Sequence, residues 1–251
     1  MRNLALLIVF IFSSFLSLSA DVQEQFKEAG DLYKKDQFQA AAEIYEQIIE
    51  NGYRNQEIYY NLGNSYYKSD MIPDAILNYE RALKIDPANE DIQFNLKVAS
   101  LQIIDKIDPL PEVFYEAWFN SIKRSMGESS WAWITIIGVW LLLASFTGFL
   151  FLNSSFMKKL TFAVFVFSAA VTVISFFAGN SMKNEILNAR EAIIFAPSAY
   201  VKSSPEDDGK DNFILHEGTK VSIIEELGEW YRIRIANGSK GWLHKSRMEI
   251  I

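Results

Sequence analysis

The residues that recur in the first third of the chain narrow its possible folds more than any other feature. Gln56 to Asn89, QEIYYNLGNSYYKSDMIPDAILNYERALKIDPAN, is a 34-residue stretch whose aromatic, small and proline residues fall where a helix-turn-helix unit needs them. Tyr59 opens a first helix, Leu62 and Gly63 let a neighbouring helix approach closely, and Tyr66 fills the space between. Ala75 does the same for a second helix, where Tyr79 and Ala82 face the next unit. Pro87 stops that helix, because proline lacks the amide hydrogen and restricts the residue before it. Val22 to Asn55 has the same length, and laid over the first it puts Ala29 on Gly63, Leu32 on Tyr66, Ala41 on Ala75 and Tyr45 on Tyr79. This copy ends at Asn51-Gly52, with Tyr53 where Pro87 would stand. One unit cannot bury its own apolar face, so the two must stack. Residues 90–105, with Ile92, Leu96, Leu101 and Ile104 near helical spacing, are expected to close the stack as a capping helix.

These positions resemble the tetratricopeptide repeat, at 22–55 and 56–89. The resemblance implies a solenoid whose concave groove is lined by the first helix of each repeat: Phe26, Tyr33 and Lys34, then Tyr60, Asn64, Tyr67 and Lys68. Asn64 and Lys68 match two positions of the clamp that some relatives use for a partner's terminal carboxylate. The cap, however, has Phe94, Val98 and Gln102 where further basic residues would be needed. An aromatic groove that takes an apolar peptide or helix, oriented by Asn64, Lys34 and Lys68, is the better reading. The alternative is that the tyrosines only pack against the cap. Residues 21–105 hold 16 acidic and 8 basic side chains, a net charge near −8. That disfavours nucleic acid and anionic headgroups as partners of the repeats and favours a basic or neutral protein, although solubility alone would also account for it.

Half of the chain is hydrophobic, and the apolar residues cluster. Leu4 to Leu18 follows Met1-Arg2-Asn3 and ends in small residues before Asp21, the layout of an export signal at 1–20 with cleavage after Ala20; an uncleaved anchor is the alternative. Residues 131–152 are 22 residues without a charge, roughly 33 Å of helix and enough to cross a bilayer. Residues 160–179 are a second uncharged run, and the short loop 153–159 between them makes a transmembrane helical hairpin. Trp131 and Trp133 suit an interfacial belt. Basic residues flank the spans evenly: Lys123 and Arg124 before, Lys158 and Lys159 in the loop, Lys183 and Arg190 after. Topology therefore rests on the export signal, which puts the loop in the cytoplasm and both flanking domains in the periplasm, at the inner membrane.

Residues 106–130 join the cap to the first span. Asp108-Pro109-Leu110-Pro111 cannot be helical and forms a stiff linker. Val113, Phe114, Trp118, Phe119, Ile122 and Met126 then recur at helical intervals among polar residues. That pattern suits either a helix lying in the headgroup region or an ordinary connecting helix.

In 191–251 the period changes from helical to alternating. Strands are expected at 192–195, 199–202, 213–215, 221–224, 230–234 and 242–243, with tight turns at Glu217-Gly218 and Asn237-Gly238. Closely spaced short strands of this kind predict a small all-β barrel. The segments Val201 to Pro205, Leu215 to Val221, Gly228 to Ile233 and Gly238 to Leu243 resemble a bacterial Src-homology-3-type (SH3) domain. In that family such domains bind peptides or cell-wall components, which implies a ligand face at Tyr200, Trp230 and Trp242; core or groove-wall packing is the alternative for the tryptophans.

The order of parts, with Asp105 to Pro111 and Phe195 to Pro205, resembles the BatE family of the Bacteroides aerotolerance operon. The fold class expected is a multidomain membrane protein: a tetratricopeptide α-α solenoid, a transmembrane helical hairpin and a small SH3-like barrel. The resemblance implies partners among membrane-anchored von Willebrand factor A-type Bat proteins, beside the lipid bilayer, with peptidoglycan as an alternative ligand of the barrel. Enzymatic readings fail on residues. There is no cysteine, and His216 and His244 lie in the expected barrel without a carboxylate-and-serine arrangement that would make a catalytic set. The acidic run Glu206 to Asp211 departs from calcium-loop spacing, and no glycine-rich phosphate loop is present. No catalytic residue, metal site or cofactor is expected.

Overall fold

The computed structural model describes residues 22–111, 113–188 and 190–251. The expected export signal lies outside the described residues. The chain divides into two compact units, Met1–Pro109 with Arg190–Ile251, and Leu110–Ala189. The first is discontinuous in sequence: the repeats and the C-terminal β domain belong together, with the hairpin inserted between them.

Five helices build the repeat part: α1 (22–34), α2 (Phe38–Glu50), α3 (Gln56–Lys68), α4 (Ile72–Ile85) and α5 (Glu90–Ser100). The 34-residue period reaches the finest details of the turns. Asn55 and Asn89, one period apart, cap α3 and α5 by accepting the amides of Ile58 at 2.8 Å and Ile92 at 3.2 Å. Asp36 and Asp70, also one period apart, take φ of 60° and 62° in the turns before α2 and α4. Aspartate tolerates this left-handed conformation better than most residues. Between the paired helices, a Cβ added at Gly63 would meet the Tyr79 ring at 2.8 Å, so any side chain here would force that ring to shift. Ala29, Ala41 and Ala75 are fully buried at the equivalent contacts, and Tyr45 and Tyr79 fill the space they leave. Burial of each such large side chain contributes on the order of 1.5–3 kcal/mol.

The cap is shorter than its pattern predicts. Helix α5 ends at Ser100, and Leu101 and Ile104 are exposed rather than core. Lys106 donates its ammonium to the carbonyls of Ser100 and Leu101 at 3.1 and 2.9 Å, satisfying the helix end, and the chain then turns toward the β domain.

That domain is an antiparallel sheet of seven strands: β1 (Glu191–Ile194), β2 (Ala199–Lys202), β3 (Asp211–Leu215), β4 (Lys220–Leu227), β5 (Trp230–Arg234), β6 (Lys240–His244) and β7 (Met248–Ile250), in the order β3-β2-β6-β5-β4-β1-β7. The expected barrel is not closed. Strand β7, which the period did not reveal, pairs with β1, and β3 keeps a free edge. Beside β3, Ile104 to Ile107 line a cavity of about 460 Å³ with Asn212 to Leu215. Gly218 and Gly238 occupy the two expected turns with φ of 82° and 85°, where glycine carries no Cβ penalty.

Strand β1 has two buried faces. Ala192 and Ile194 enter the β core, whereas fully buried Ile193 joins the repeat core with Ile103 and Phe195 at its margin. A strand buried on both sides reads as an unbroken apolar run, which is what Ala192-Ile193-Ile194-Phe195 is. Polar groups close the joint around it. Asp105 accepts from the His216 amide and from Thr219 Oγ1, each at 2.7 Å, and its other oxygen meets His216 Nδ1 at 2.8 Å. Lys220 bridges Glu80 at 2.8 Å and Glu191 at 3.0 Å, and Arg81 reaches Glu249 at 2.7 Å.

The second unit holds α6 (Phe114–Arg124), α7 (Glu128–Phe151) and α8 (Ser155–Asn188). Within them, 129–151 and 155–184 are long and apolar enough to cross a membrane. Helix α8 begins inside the expected 153–159 loop, since Ser155 to Lys159 contains no helix breaker, and it runs past the uncharged stretch at both ends. The antiparallel contact between α7 and α8 uses small residues and hydroxyls. Gly138 lies against Thr172, Gly148 against Thr161 and Gly179 against Trp131, while Thr135 and Ser175 share a hydrogen bond of 2.9 Å.

Candidate binding surfaces

The first helices of the repeats place their residues in rows one period apart. Phe26, Tyr60 and Phe94 form one row; Tyr33, Tyr67 and Leu101 a second; Lys34, Lys68 and Gln102 a third. The structure divides them into supporting and exposed members. Phe26 is half-buried and packs edge-on against Tyr45 at 5.6 Å, so it belongs to the core margin. Tyr33 packs edge-on against Phe38 at 5.1 Å; burial, with Tyr60 and Asp36 nearby, holds its hydroxyl above the usual tyrosine pKa. Lys34 is exposed and pairs with Asp31 at 3.2 Å. Lys68 is exposed at the end of α3.

Asn64 is a hub. Its Oδ1 accepts from the Tyr79 hydroxyl at 2.8 Å and from Asn95 Nδ2 at 2.9 Å, and the same Asn95 nitrogen lies 3.1 Å from the Tyr60 hydroxyl. Gln102 Nε2 donates to the Tyr67 hydroxyl at 2.8 Å. The oxygen of Asn64 thus works inside the fold, linking α3 to α4 and α5. Asn95 completes the link and was not singled out by the period; an amide in the middle of an apolar-periodic cap was its one sequence signal. Beyond this layer, the cap leaves Phe94 66% and Leu101 69% exposed, with Val98 half-buried between them. Spaced four and three residues apart, they make an apolar stripe on one helical face.

The β domain has a second aromatic surface. In β2, β5 and β6 the residues Val201, Tyr231, Ile233 and Leu243 point into the core, so their alternate neighbours point out. Tyr200 faces Ile214 across β2 and β3, and Lys202 and Arg232 flank Trp242 on either side. The Arg232 guanidinium stands 6.0 Å from the Trp242 ring centre and also reaches Glu225 at 3.1 Å. Trp230 packs edge-on against His244 at 5.5 Å. Tyr200, Trp230 and Trp242 therefore share the outward face, as side chains that a ligand can touch.

Residues 57–89 match the tetratricopeptide repeat. Residues 197–249 match the bacterial SH3 domain. A search of curated proteins found no match to this chain. Protein-interaction modules thus occupy both parts of the first unit. At the seam between the repeat helices and the β domain, Asp105 gives His216 a carboxylate partner from more than a hundred residues away. The nearby Thr219 hydroxyl bonds to that carboxylate and not to the imidazole, so Asp105 clasps two residues of the β domain to the end of the repeats. Among the described residues no three His, Asp or Glu side chains converge as metal ligands.

Proposed function

We propose that this protein is a non-enzymatic, membrane-anchored scaffold whose repeat groove holds an apolar segment of a partner protein. The supporting observation is the contrast within the groove: its polar hub is internally bonded, while Phe94 and Leu101 are left uncovered on either side of half-buried Val98. Apolar burial on this stripe supplies the affinity, and Lys34, Lys68 and Gln102 along its edge orient the bound segment. The resemblance to the BatE family supports an assembly in the envelope with von Willebrand factor A-type Bat proteins. Both modules then face the periplasm from the inner membrane, a topology that rests on the export signal at 1–20.

The full chain, extracted in mild detergent after cross-linking, tests the groove. Phe94→Asp with Leu101→Asp changes exposed side chains only, and partner recovery is expected to fall at least tenfold while Trp242→Ala leaves it intact. Unchanged recovery would sink the groove assignment. A second reading, a cell-wall tether, is favoured by the outward-facing Tyr200, Trp230 and Trp242. For it the test is retention of the full chain on purified peptidoglycan and loss of retention in Trp242→Ala.

A further inference from the structure

Among the described residues, the packing contacts of helix α6 gather at its C-terminal end. Its apolar stripe runs the length of the helix, and its last turn is covered: Ile122 packs beside Trp131, Ala178 and Met182, and the Trp131 indole donates to the Lys123 carbonyl at 3.0 Å. The first two turns leave Phe114 83% and Trp118 65% exposed, with Tyr115 and Val113 also open. An apolar aromatic patch of this kind on an amphipathic helix is uncovered surface that water does not favour.

We infer that α6 is a membrane-interface helix, seated with Phe114, Tyr115 and Trp118 among the lipid headgroups and upper acyl chains of the bilayer that α7 and α8 cross. The inference rests on the reading of those helices as spans. The level of α6 follows from its contacts. Trp131 stands near the start of the first span, 129–151, and Met182 near the end of the second, 155–184, so both mark one end of the hairpin. From Trp131 to the end of that span is about 30 Å of helix, the thickness of the hydrocarbon layer. A helix clamped at Trp131 and Met182 therefore lies at the boundary between hydrocarbon and headgroups, where aromatic rings with a polar edge are stable. On the hairpin itself, Phe167, near the middle of the second span, is 72% exposed. The occupant of the patch is then the membrane itself, and α6 sets the depth at which the hairpin sits.

The chain has no cysteine, so single nitroxide labels can be placed without other changes. The full chain in phosphatidylcholine vesicles would carry one label at Trp118→Cys, Tyr115→Cys, Phe167→Cys or exposed Asp208→Cys. Collision with oxygen, which partitions into lipid, is compared with collision with a water-soluble nickel chelate. The Trp118 and Tyr115 labels are expected to show an oxygen-to-nickel ratio several-fold above that at Asp208 and below that at Phe167. The Tyr115 label reads the same environment with Phe114 and Trp118 intact. Ratios at Trp118 and Tyr115 equal to that at Asp208, with Phe167 still oxygen-rich, would overturn the inference for α6 alone. A nickel-accessible Phe167 would overturn the spanning reading, and the inference with it.

Discussion

Where the repeats meet the SH3 domain, carboxylates, cations and an imidazole close the joint; where α7 meets α8, glycines and hydroxyls close it. The first joint forms in water, where burying Ile193 supplies the driving force and charged groups at the margin stay partly hydrated. Its polar contacts decide which register of the two parts is allowed, because a buried carboxylate without its donors is costly. In a bilayer, which both helices are long and apolar enough to cross, the second joint would have little hydrophobic force to draw on, since lipid tails are as apolar as leucine. Close approach of backbones takes its place, so small residues sit at Gly138, Gly148 and Gly179 and hydroxyls bond within or between the helices. The polar groups of the two joints are therefore expected to differ in worth: large and pH-dependent in one, small and pH-independent in the other.

The largest effect should come from Asp105→Ala. It leaves the His216 amide and the Thr219 hydroxyl without their acceptor at a part-buried site, at a cost of about 2–4 kcal/mol. The measurement is thermal unfolding together with limited proteolysis of residues 101–109, which should be cut much faster. The site also predicts a pH dependence. Burial alone would raise the Asp105 carboxyl, but the His216 and Thr219 donors outweigh it and hold the pKa below the usual aspartate value. A depressed carboxylate stabilises the fold above its unfolded pKa of about 3.9, and the contribution is lost as pH falls through the folded value. Asp105→Asn should flatten that acid limb of the stability profile. An unchanged limb would break the contrast between the joints.

A middle-sized effect is expected from Gly218→Ala. The residue has φ of 82°, and a new Cβ would lie 2.5 Å from Ile103 Cγ2. Strain and overpacking together cost about 1–3 kcal/mol. Chemical denaturation should show the loss, and Ile103→Ala in the same chain should restore part of it, because the double variant removes the clash but not the backbone strain. Full additivity of the two changes would mean that Gly218 does not press on the repeats. The smallest effect belongs to the hairpin. Thr135→Val removes the bond to Ser175 at nearly constant volume and should cost about 0.6 kcal/mol, with no dependence on pH. Unfolding in lipid bicelles measures it, and a loss as large as that of Asp105→Ala would erase the difference between the two joints.

Much of the fold could be read from residue spacing. The repeats announced themselves because a helix pair needs small residues where backbones approach and aromatic ones where they diverge, and Ala29, Gly63, Tyr45 and Tyr79 meet those needs at one period. The two long apolar helices were legible because uncharged runs of twenty residues stand out from the rest of the chain. The alternation in 199–202 and 230–234 marked strands with one wet face. Other features were not legible, each for a physical reason. Strand β7 is three residues long, too short to show a period, and the end of α5 at Ser100 depends on Lys106, which comes after it. Asn95 looked like a polar interruption and became the link between Tyr60 and Asn64.

The sequence alone therefore determined the elements, the repeat period and the apolar lengths, since these depend on interactions among neighbours within a few turns or on the solvent a segment can enter. Only the tertiary structure decided that Asp105 meets His216 and Thr219, that Ile193 belongs to the repeat core, and that the sheet stays open beside Ile104 to Ile107. Those pairings join residues on opposite sides of the inserted hairpin, and neither periodicity nor local propensity carries information across such a distance. The chemistry that makes one unit of the repeats and the SH3 domain is written in single residues, and it becomes visible once the chain has brought them within hydrogen-bonding reach.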